Sequence, residues 1–211
     1  MNITFIGHGQ VGAPLADHLQ RAGHSVTLAA KDPDSASTVQ ALRRNPNLRL
    51  AEPRSAVVSA DVVFLATPFA ANEAALAAVA EELRGKVLVD CTNPVGPGIT
   101  HGLGSVRSGA DAVQAGAPGA RVVKAFSTYG FENFENSAYP GHSVRPVMML
   151  CGEDAQAKAT VSTLASELGW TPLDVGGLAQ ALHLEHMTLL WVRMVRLQGV
   201  SPHTVWGMLQ R

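Results

Sequence analysis

Short apolar segments alternate with segments of helical spacing along most of this 211-residue chain. Strands are predicted at residues 3–6, 25–29, 61–66, 86–90, 121–126 and 146–151. The strands are continuous apolar runs, as in DVVFLA at residues 61–66, which is typical of parallel strands buried on both faces. The alternation therefore predicts an α/β fold with a doubly wound parallel sheet. A long apolar helical pattern after Gly177 predicts a sheet domain at residues 1–177 and a short C-terminal helical segment at 178–211.

A glycine-rich loop, Gly7-His8-Gly9-Gln10-Val11-Gly12, joins the first strand to the first helix. Between a strand and a helix, and with a second strand following, this spacing predicts a Rossmann-type dinucleotide site. Gly7 would permit the tight turn, Gly9 would let the backbone approach a pyrophosphate, and Gly12 would let the helix pack closely on the strand. The helix amides and their positive dipole end would hold the pyrophosphate. The alternative is an ordinary strand–helix turn.

The residues after the second strand predict NADP(H) rather than NAD as the cofactor. NAD sites usually place a carboxylate at this position, where this chain has Ala30 followed by Lys31. A lysine attracts a 2′-phosphate, and Ser35 or Ser37 lies nearby to complete a phosphate pocket. Asp32, ahead of Pro33, is interpreted as the cap of the following helix. The alternative for Lys31 is a solvated lysine in a loop.

Three further strand ends are candidate walls of the nicotinamide site, because ligands of doubly wound sheets lie beyond the carboxyl ends of the strands. Their residues are Ala66-Thr67-Pro68, Cys91-Thr92-Asn93-Pro94 and Ala125-Phe126-Ser127-Thr128. The alternative is that these residues only terminate strands, since a residue before proline is kept extended.

Composition and spacing exclude several classes of protein. The net charge of −1, without a basic stripe, argues against nucleic-acid binding, and no apolar run has the length of a membrane span. The start of the chain does not resemble a signal peptide, and Cys91 and Cys151 stand alone, so we expect a cytoplasmic protein with reduced thiols. His183 and His186 lack a third ligand, and we expect no metal site. No catalytic triad and no carboxylate pair is evident from spacing.

Several segments, in this order, resemble a known family: ITFIGHGQVG, LATP, VDCTNPV, VVKAFST and the stretch from CGEDAQ to ALHLEHM. They are similar to the bacterial and archaeal NADP oxidoreductases that depend on the deazaflavin coenzyme F-420 (F420). More distantly they resemble the cytoplasmic reductase domain of the six-transmembrane metalloreductases. The resemblance covers nearly the whole chain. It implies a Rossmann domain with a small C-terminal helical part, usually dimeric, and hydride transfer between NADPH and a flavin-like ring.

Within this resemblance, the phosphate loop of the family falls on Gly7, His8, Gly9, Gln10, Val11 and Gly12, its 2′-phosphate contact on Lys31, and its nicotinamide wall on Thr67, Pro68, Asn93 and Pro94. Position after the predicted strands adds Ala30, Ser35, Ala66 and Ala125 to the predicted cofactor contacts. The substrate contacts fall on Phe126, Ser127 and Thr128. The family segment Ala-Phe-Asn-Thr has serine at Ser127 here, and the family's arginine before the Leu184-Glu185 pair is missing. Both departures lie on the substrate side of the site.

The sequence therefore predicts an NADPH-dependent oxidoreductase that passes a hydride to F420, FMN or FAD, with onward transfer to ferric iron as an extension. No residue is assigned a catalytic role, because the cofactors carry such chemistry and the protein aligns the rings. The predicted partners are a small-molecule redox acceptor and a second copy of the chain. One alternative is a non-catalytic NADP(H)-binding sensor module. Another is an imine or hydroxy acid reductase, for which the segment after Gly177 is short.

Overall fold

The computed structural model describes residues 1–211 and is organised around one eight-stranded sheet. Its strands are β1 (Asn2–Ile6), β2 (Ser25–Ala29), β3 (Arg49–Ala51), β4 (Val62–Leu65), β5 (Val87–Asp90), β8 (Arg121–Lys124), β9 (Val147–Gly152) and β10 (Thr171–Asp174). A separate small hairpin pairs β6 (Val95–Gly96) with β7 (Thr100–His101). The strand order in the sheet is β10-β9-β8-β5-β4-β1-β2-β3. The order reverses between β1 and β4, which is where doubly wound sheets bind their ligands.

The sheet is mostly, but not entirely, parallel. The strands from β3 across to β8 are parallel, whereas β9 runs antiparallel to β8, with Lys124 opposite Cys151. Strand β10 is parallel to β9. The doubly wound parallel sheet predicted from the sequence is confirmed, with one antiparallel pairing at this end. As a consequence, the amino end of β9 lies at the same edge as the carboxyl ends of the parallel strands.

Helices cover both faces of the sheet, as predicted. They are α1 (Gly12–Arg21), α2 (Ala36–Arg44), α3 (Pro53–Val58), α4 (Asn72–Ala77), α5 (Gly109–Gly116), α6 (Glu132–Glu135), α7 (Ala155–Glu167) and α8 (Ala181–Gln198). Successive residues of a strand enter opposite clusters: Phe64 lies in one buried hydrophobic cluster, and Val63 and Leu65 lie in the other. The strands are apolar throughout because both of their faces are buried.

Helix α2 begins later than the sequence suggests. Ser35 is its N-cap, and the Ser35 hydroxyl accepts the amide of Thr38 at 3.4 Å. The Asp32 carboxylate instead accepts the amide of Asp34 at 2.9 Å, in a turn before the helix, so the assignment of Asp32 as the cap was wrong. The segment Asp-Pro-Asp-Ser offers three residues of capping type, and the structure uses the last of them.

The C-terminal segment packs against the sheet. Helix α8 places Leu184 in one hydrophobic cluster and Trp191 in the other. It ends at Gln198 and is capped by Gly199, which has a φ of +70°. The chain then runs back along β9, where the amide of Val147 donates to the carbonyl of Trp206 at 2.9 Å. None of the helices combines the length and the apolar character that crossing a membrane requires.

Candidate functional site

The glycine loop after β1 is tightly packed at its ends and open in its middle. Gly7 has a φ of +89°, and a Cβ there would lie 2.6 Å from the carbonyl carbon of Ala66 at the end of β4. A Cβ on Gly12 would collide with the carbonyl oxygen of Gly7. A Cβ on Gly9 would meet nothing within 4 Å, so this side of the loop is open to a ligand. This geometry supports the predicted roles of the three glycines.

The side chain of His8 ties the glycine loop to helix α2. Its ring is buried, and its Nε2 lies 2.9 Å from the hydroxyl of Thr38. That hydroxyl also bonds to the Ser35 hydroxyl at 2.7 Å and to the carbonyl of Asp32 at 3.2 Å. Burial lowers the pKa of His8, so the ring is neutral at physiological pH. The structure therefore gives the His8 ring a scaffolding role, which the spacing of the glycines does not predict.

Lys31 is exposed and its side chain makes no hydrogen bond or ion pair within the chain. It follows Ala30, whose amide donates to the carbonyl of Ala51 at 3.0 Å and so extends the edge of the sheet. Ser35, the other residue predicted to hold a phosphate, uses its hydroxyl to cap α2. Lys31 is thus the side chain of this group that has no partner in the protein.

The ends of β4 and β5 are joined by a chain of polar side chains. The Thr67 hydroxyl donates to Asn72 Oδ1 at 2.7 Å, and Asn72 Nδ2 donates to the Thr92 hydroxyl at 2.8 Å. The Thr92 hydroxyl in turn donates to Asp90 Oδ1 at 2.7 Å. Thr67, a predicted wall of the nicotinamide site, is therefore held by Asn72 of α4, which connects it to the end of β5.

This chain leads into a buried cluster of charges. Lys124 on β8 is 0% exposed, and its ammonium lies 3.0 Å from Asp90 Oδ2 and 3.1 Å from Glu185 Oε1 of α8. It also donates to the carbonyl of Thr92 at 2.7 Å. Burial by itself would lower the pKa of Lys124, but the two carboxylates raise it above its ordinary value. The lysine is therefore charged and pairs with both acids.

Glu185 connects the cluster to two further elements. Its carboxylate accepts the amide of Gly109 at 2.9 Å, at the start of α5, where the helix dipole is positive. It also contacts His101 Nε2 at 2.8 Å. His101 Nδ1 accepts the amides of Leu103 at 3.3 Å and Ser105 at 3.2 Å, so the ring proton lies on Nε2 and is donated to Glu185.

This cluster holds two carboxylates around one structural cation, an arrangement that spacing alone does not show. Asp90 and Glu185 are far apart in sequence, so spacing does not reveal that they meet on Lys124. A weaker signal was present, because Lys124 in RVVKAF and Asp90 in KVLVD are charged residues within apolar strands. Charged side chains are almost never fully buried unless they are paired.

The segment after β8 has an unusual backbone. Phe126 has a φ of +53°, a left-handed conformation that is costly for a bulky residue and tends to occur at functional sites. Its ring lies in the core beside Phe64, with ring centroids 5.7 Å apart. The carbonyl of Ser127 accepts Asn93 Nδ2 and the Thr188 hydroxyl, each at 2.8 Å. The predicted cofactor wall and the predicted substrate segment are thereby joined at Ser127.

The structure brings the predicted residues to the carboxyl edge of the sheet. Gly7, Gly12 and Ala66 are in contact, and Asn93 meets Ser127. Lys31 follows β2, which runs parallel to β1 with Ala29 opposite Ile6, so it leaves the sheet at the same edge. Pro68 is exposed, Pro94 and Ala125 are buried, and Gln10 and Val11 lie in the glycine loop. The hydroxyls of Ser127 and Thr128 are buried without a hydrogen-bond partner. No three His, Cys, Asp or Glu side chains form a group suited to a metal ion.

Replacing Lys124 with methionine should destabilise the protein by about 3–5 kcal/mol, because both carboxylates would remain buried without their cation. Chemical denaturation followed by circular dichroism measures the change in the free energy of unfolding. The matched control is Lys158→Met. Lys158 pairs with Asp174, which is 47% exposed, so its loss should cost less than about 1 kcal/mol. If the two substitutions lowered the free energy of unfolding by the same amount, the result would show that water reaches the Lys124 cluster.

Comparisons with known proteins agree with this architecture. Residues 2–94 match the sequence profile of a family described as NADP oxidoreductase, coenzyme F420-dependent. The chain is 32% identical over 188 residues to the metalloreductase STEAP3 of Rattus norvegicus, which covers 89% of this chain but 36% of the rat protein. The chain thus spans about a third of the length of that relative. It is also 28% identical over 211 residues to the F420-dependent NADP reductase of Methanothermobacter thermautotrophicus, covering 92% of this chain and 89% of that protein.

Solved structures show the same similarity. A putative F420-dependent NADP reductase from Arthrobacter sp. FB24 superposes with a TM-score of 0.83 and 31% identity, over 94% of this chain and 95% of that one. An imine reductase from Myxococcus stipitatus in complex with NADP⁺ has a TM-score of 0.68 at 20% identity, over 94% of this chain and 63% of that one. At this level of identity the second likeness shows a shared fold alone.

Proposed function

This chain belongs to the family of coenzyme F420-dependent NADP oxidoreductases, and from that premise we propose that it transfers a hydride between NADP(H) and a flavin-type acceptor. F420, FMN and FAD are the acceptors we consider. The observation that carries the proposal is the glycine loop packed against the end of β4, next to the strand ends that Asn93 and Ser127 join. Onward transfer to ferric iron is an extension suggested by the similarity to the rat metalloreductase.

The proposed cofactor site follows the carboxyl edge of the sheet. The open side of Gly9 and the first amides of α1 would receive the pyrophosphate, since a helix N-terminus attracts anions. Lys31 would pair with the 2′-phosphate, and His8 would keep the two phosphate-binding segments in a constant relative position. The nicotinamide would lie against Thr67 and Asn93. The complete proposed cofactor set is Gly7, His8, Gly9, Gln10, Val11, Gly12, Ala30, Lys31, Ser35, Ala66, Thr67, Pro68, Asn93, Pro94 and Ala125.

The proposed acceptor site adjoins it at Phe126, Ser127 and Thr128. Bound NADPH supplies the hydride, and the acceptor ring takes it up together with a proton from water. The protein's part is alignment. Asn93 and Thr188 both donate a hydrogen bond to the carbonyl of Ser127. The nicotinamide wall at Asn93 and the acceptor segment at Ser127 are therefore held at a constant separation. No side chain needs to act as acid or base in this scheme, and we assign none.

The decisive experiment mixes the purified protein with NADPH and, separately, with F420, FMN and FAD, and follows the loss of reduced-nicotinamide absorbance. We expect oxidation of NADPH with at least one acceptor. A Gly9→Val variant should lose NADPH binding yet keep its thermal midpoint, because its side chain enters open space where the pyrophosphate would lie. Tight NADPH binding without turnover on any acceptor would contradict the proposal and favour a sensor module.

Replacing Lys31 with aspartate should shift cofactor preference from NADP towards NAD. A carboxylate at this position would repel the 2′-phosphate and accept the ribose hydroxyls instead. We expect the ratio of kcat/KM for NADPH to that for NADH to fall by about 10-fold or more, as loss and reversal of one charge-assisted contact implies. Arg49→Asp is the control, since Arg49 is exposed, unpaired and on the edge strand β3. An unchanged ratio for Lys31→Asp would refute the phosphate contact.

We also propose that the chain forms a homodimer through the exposed face of α8. Leu190 and Leu197 are 52% and 59% exposed on this helix, with the exposed His183, His186 and Arg193 on the same face. Leu190→Glu should therefore convert a dimer to a monomer in sedimentation equilibrium. Leu209→Glu is the control, because Leu209 is 85% exposed and lies in the tail that follows α8 rather than on the helix. A wild-type chain that sediments as a monomer at all concentrations would contradict the proposal.

The proposed location is the cytoplasm. Cys91 and Cys151 are both buried and unpaired, as is usual for proteins of a reducing compartment. Burial raises the pKa of both thiols, that of Cys151 to about 12, so neither is a reactive thiolate.

A further inference from the structure

The hydroxyl of Thr38, on helix α2, lies where the two phosphate-binding segments of the proposed cofactor site meet. Thr38 is 0% exposed, so its side chain touches only protein. From the glycine loop, His8 Nε2 lies 2.9 Å from the Thr38 hydroxyl oxygen. From the segment between β2 and α2, the Ser35 hydroxyl lies at 2.7 Å and the carbonyl oxygen of Asp32 at 3.2 Å. One buried hydroxyl therefore joins the loop assigned to the pyrophosphate to the segment assigned to the 2′-phosphate.

The direction of each of these hydrogen bonds follows from the protons available. A carbonyl oxygen can only accept, so the single proton of the Thr38 hydroxyl goes to the carbonyl of Asp32. The Ser35 hydroxyl and the His8 ring then donate to the two lone pairs of the Thr38 oxygen. His8 thus carries its proton on Nε2, and its Nδ1 is buried without a hydrogen-bond partner. The bond to Thr38 is therefore the one hydrogen bond that orients the His8 ring.

The same hydroxyl holds the backbone next to Lys31. The carbonyl of Asp32, the residue after Lys31, accepts the Thr38 hydroxyl and also the amide of Ser35, the latter at 3.4 Å. The Ser35 hydroxyl in turn accepts the amide of Thr38 at 3.4 Å. Lys31 itself is exposed, and its side chain has no partner in the protein. The position from which Lys31 reaches a phosphate is therefore set by the backbone that Thr38 holds.

NADP⁺ differs from NAD⁺ in that it engages both segments with a phosphate group. In the proposed site, the pyrophosphate lies at Gly9 and the first amides of α1, and the 2′-phosphate pairs with Lys31. Both groups belong to one molecule, so its covalent structure limits the distance between them. A shift of the Lys31 segment relative to the glycine loop therefore weakens the 2′-phosphate contact while the pyrophosphate contact remains. Such a shift reduces affinity for NADP⁺ more than affinity for NAD⁺.

From these observations we propose that Thr38 is a positioning residue that sets the preference of the site for NADP(H) over NAD(H). Its hydroxyl holds the Lys31 segment and the His8 ring in one arrangement, in which the glycine loop and the lysine match the spacing of the two phosphate groups. Thr38 does not touch the cofactor, because it is fully buried, and it acts through Lys31. The inference rests on the proposed function, whose cofactor selectivity it deepens.

The test measures dissociation constants for NADP⁺ and NAD⁺ by calorimetric titration, which requires no turnover. Thr38→Val keeps the branched shape of the side chain and removes the hydroxyl. It should lower the preference for NADP⁺, expressed as the ratio of the two constants, about five-fold, as for weakening of one charge-assisted contact. Affinity for NAD⁺ should change less, by about two-fold at most, because the pyrophosphate contact remains. Thr38→Ser retains the hydroxyl and should restore the wild-type preference.

Thr4→Val is the matched control for loss of a buried hydroxyl. Thr4 is 1% exposed, and its hydroxyl donates to the carbonyl of Ala56 at 2.8 Å. Both valine variants should lower the thermal midpoint, since each leaves a buried polar group without a partner. Thr38→Val alone should change the preference for NADP⁺. If Thr4→Val lowers that preference by as much, the effect comes from a general loosening of the fold and the proposal is overturned.

A double-mutant cycle with Lys31→Ala tests whether Thr38 acts through Lys31. Once the lysine is absent, Thr38→Val should have little further effect on the preference for NADP⁺. An equal effect of Thr38→Val with and without the lysine would overturn the proposal.

The same titrations separate this inference from the proposed function. A wild-type protein that binds NADP⁺ no more tightly than NAD⁺ would contradict the proposed cofactor and this inference together. A preference for NADP⁺ that persists unchanged in Thr38→Val would overturn this inference alone and leave the proposed function in place.

Discussion

The ion pairs of Lys124 hold together the elements on which the candidate site depends. One ammonium contacts Asp90 at the end of β5 and Glu185 on α8, and Glu185 also caps α5. Removing three charges from water is costly, and only good geometry with further hydrogen bonds offsets that cost. Here the further bonds come from Thr92, His101 and the amide of Gly109. The arrangement fixes α8 against the strand ends.

The consequence for the site is that its walls are not independent loops. Thr67 is linked through Asn72 and Thr92 to Asp90, and Ser127 is held by Asn93 and by Thr188 of α8. The hydrogen bonds of Thr67 thus lead to β5 and those of Ser127 to α8, and Lys124 forms an ion pair with a residue of each element. For a transfer between two rings, where the protein contributes mainly alignment, such rigidity is the property that the site requires.

The nucleotide half of the fold was predictable because its signals are local. The run from β1 through Gly12 to β2 contains its turn, its close contact and its helix start within one short stretch of sequence. The direction of β9 was not predictable in this way, since an apolar run buried on both faces reads the same in either orientation. Asp90 and Glu185 come together on Lys124 through tertiary packing, which their spacing in the sequence does not predict. The left-handed backbone at Phe126 has no sequence signal, because neither glycine nor asparagine marks it.

The return of the tail along β9 has a consequence for the order in which the protein is made. Strands β1 to β5 and their helices are complete once the residues up to Asp90 have been synthesised, and domains generally fold from the N-terminal side during synthesis. The ion pair of Lys124 with Glu185 forms only after Glu185 has been synthesised, and the hydrogen bond from the amide of Val147 forms only after Trp206 has been. The strands and helices around the glycine loop are thus available early in synthesis, whereas the contacts that complete the acceptor side require nearly the whole chain.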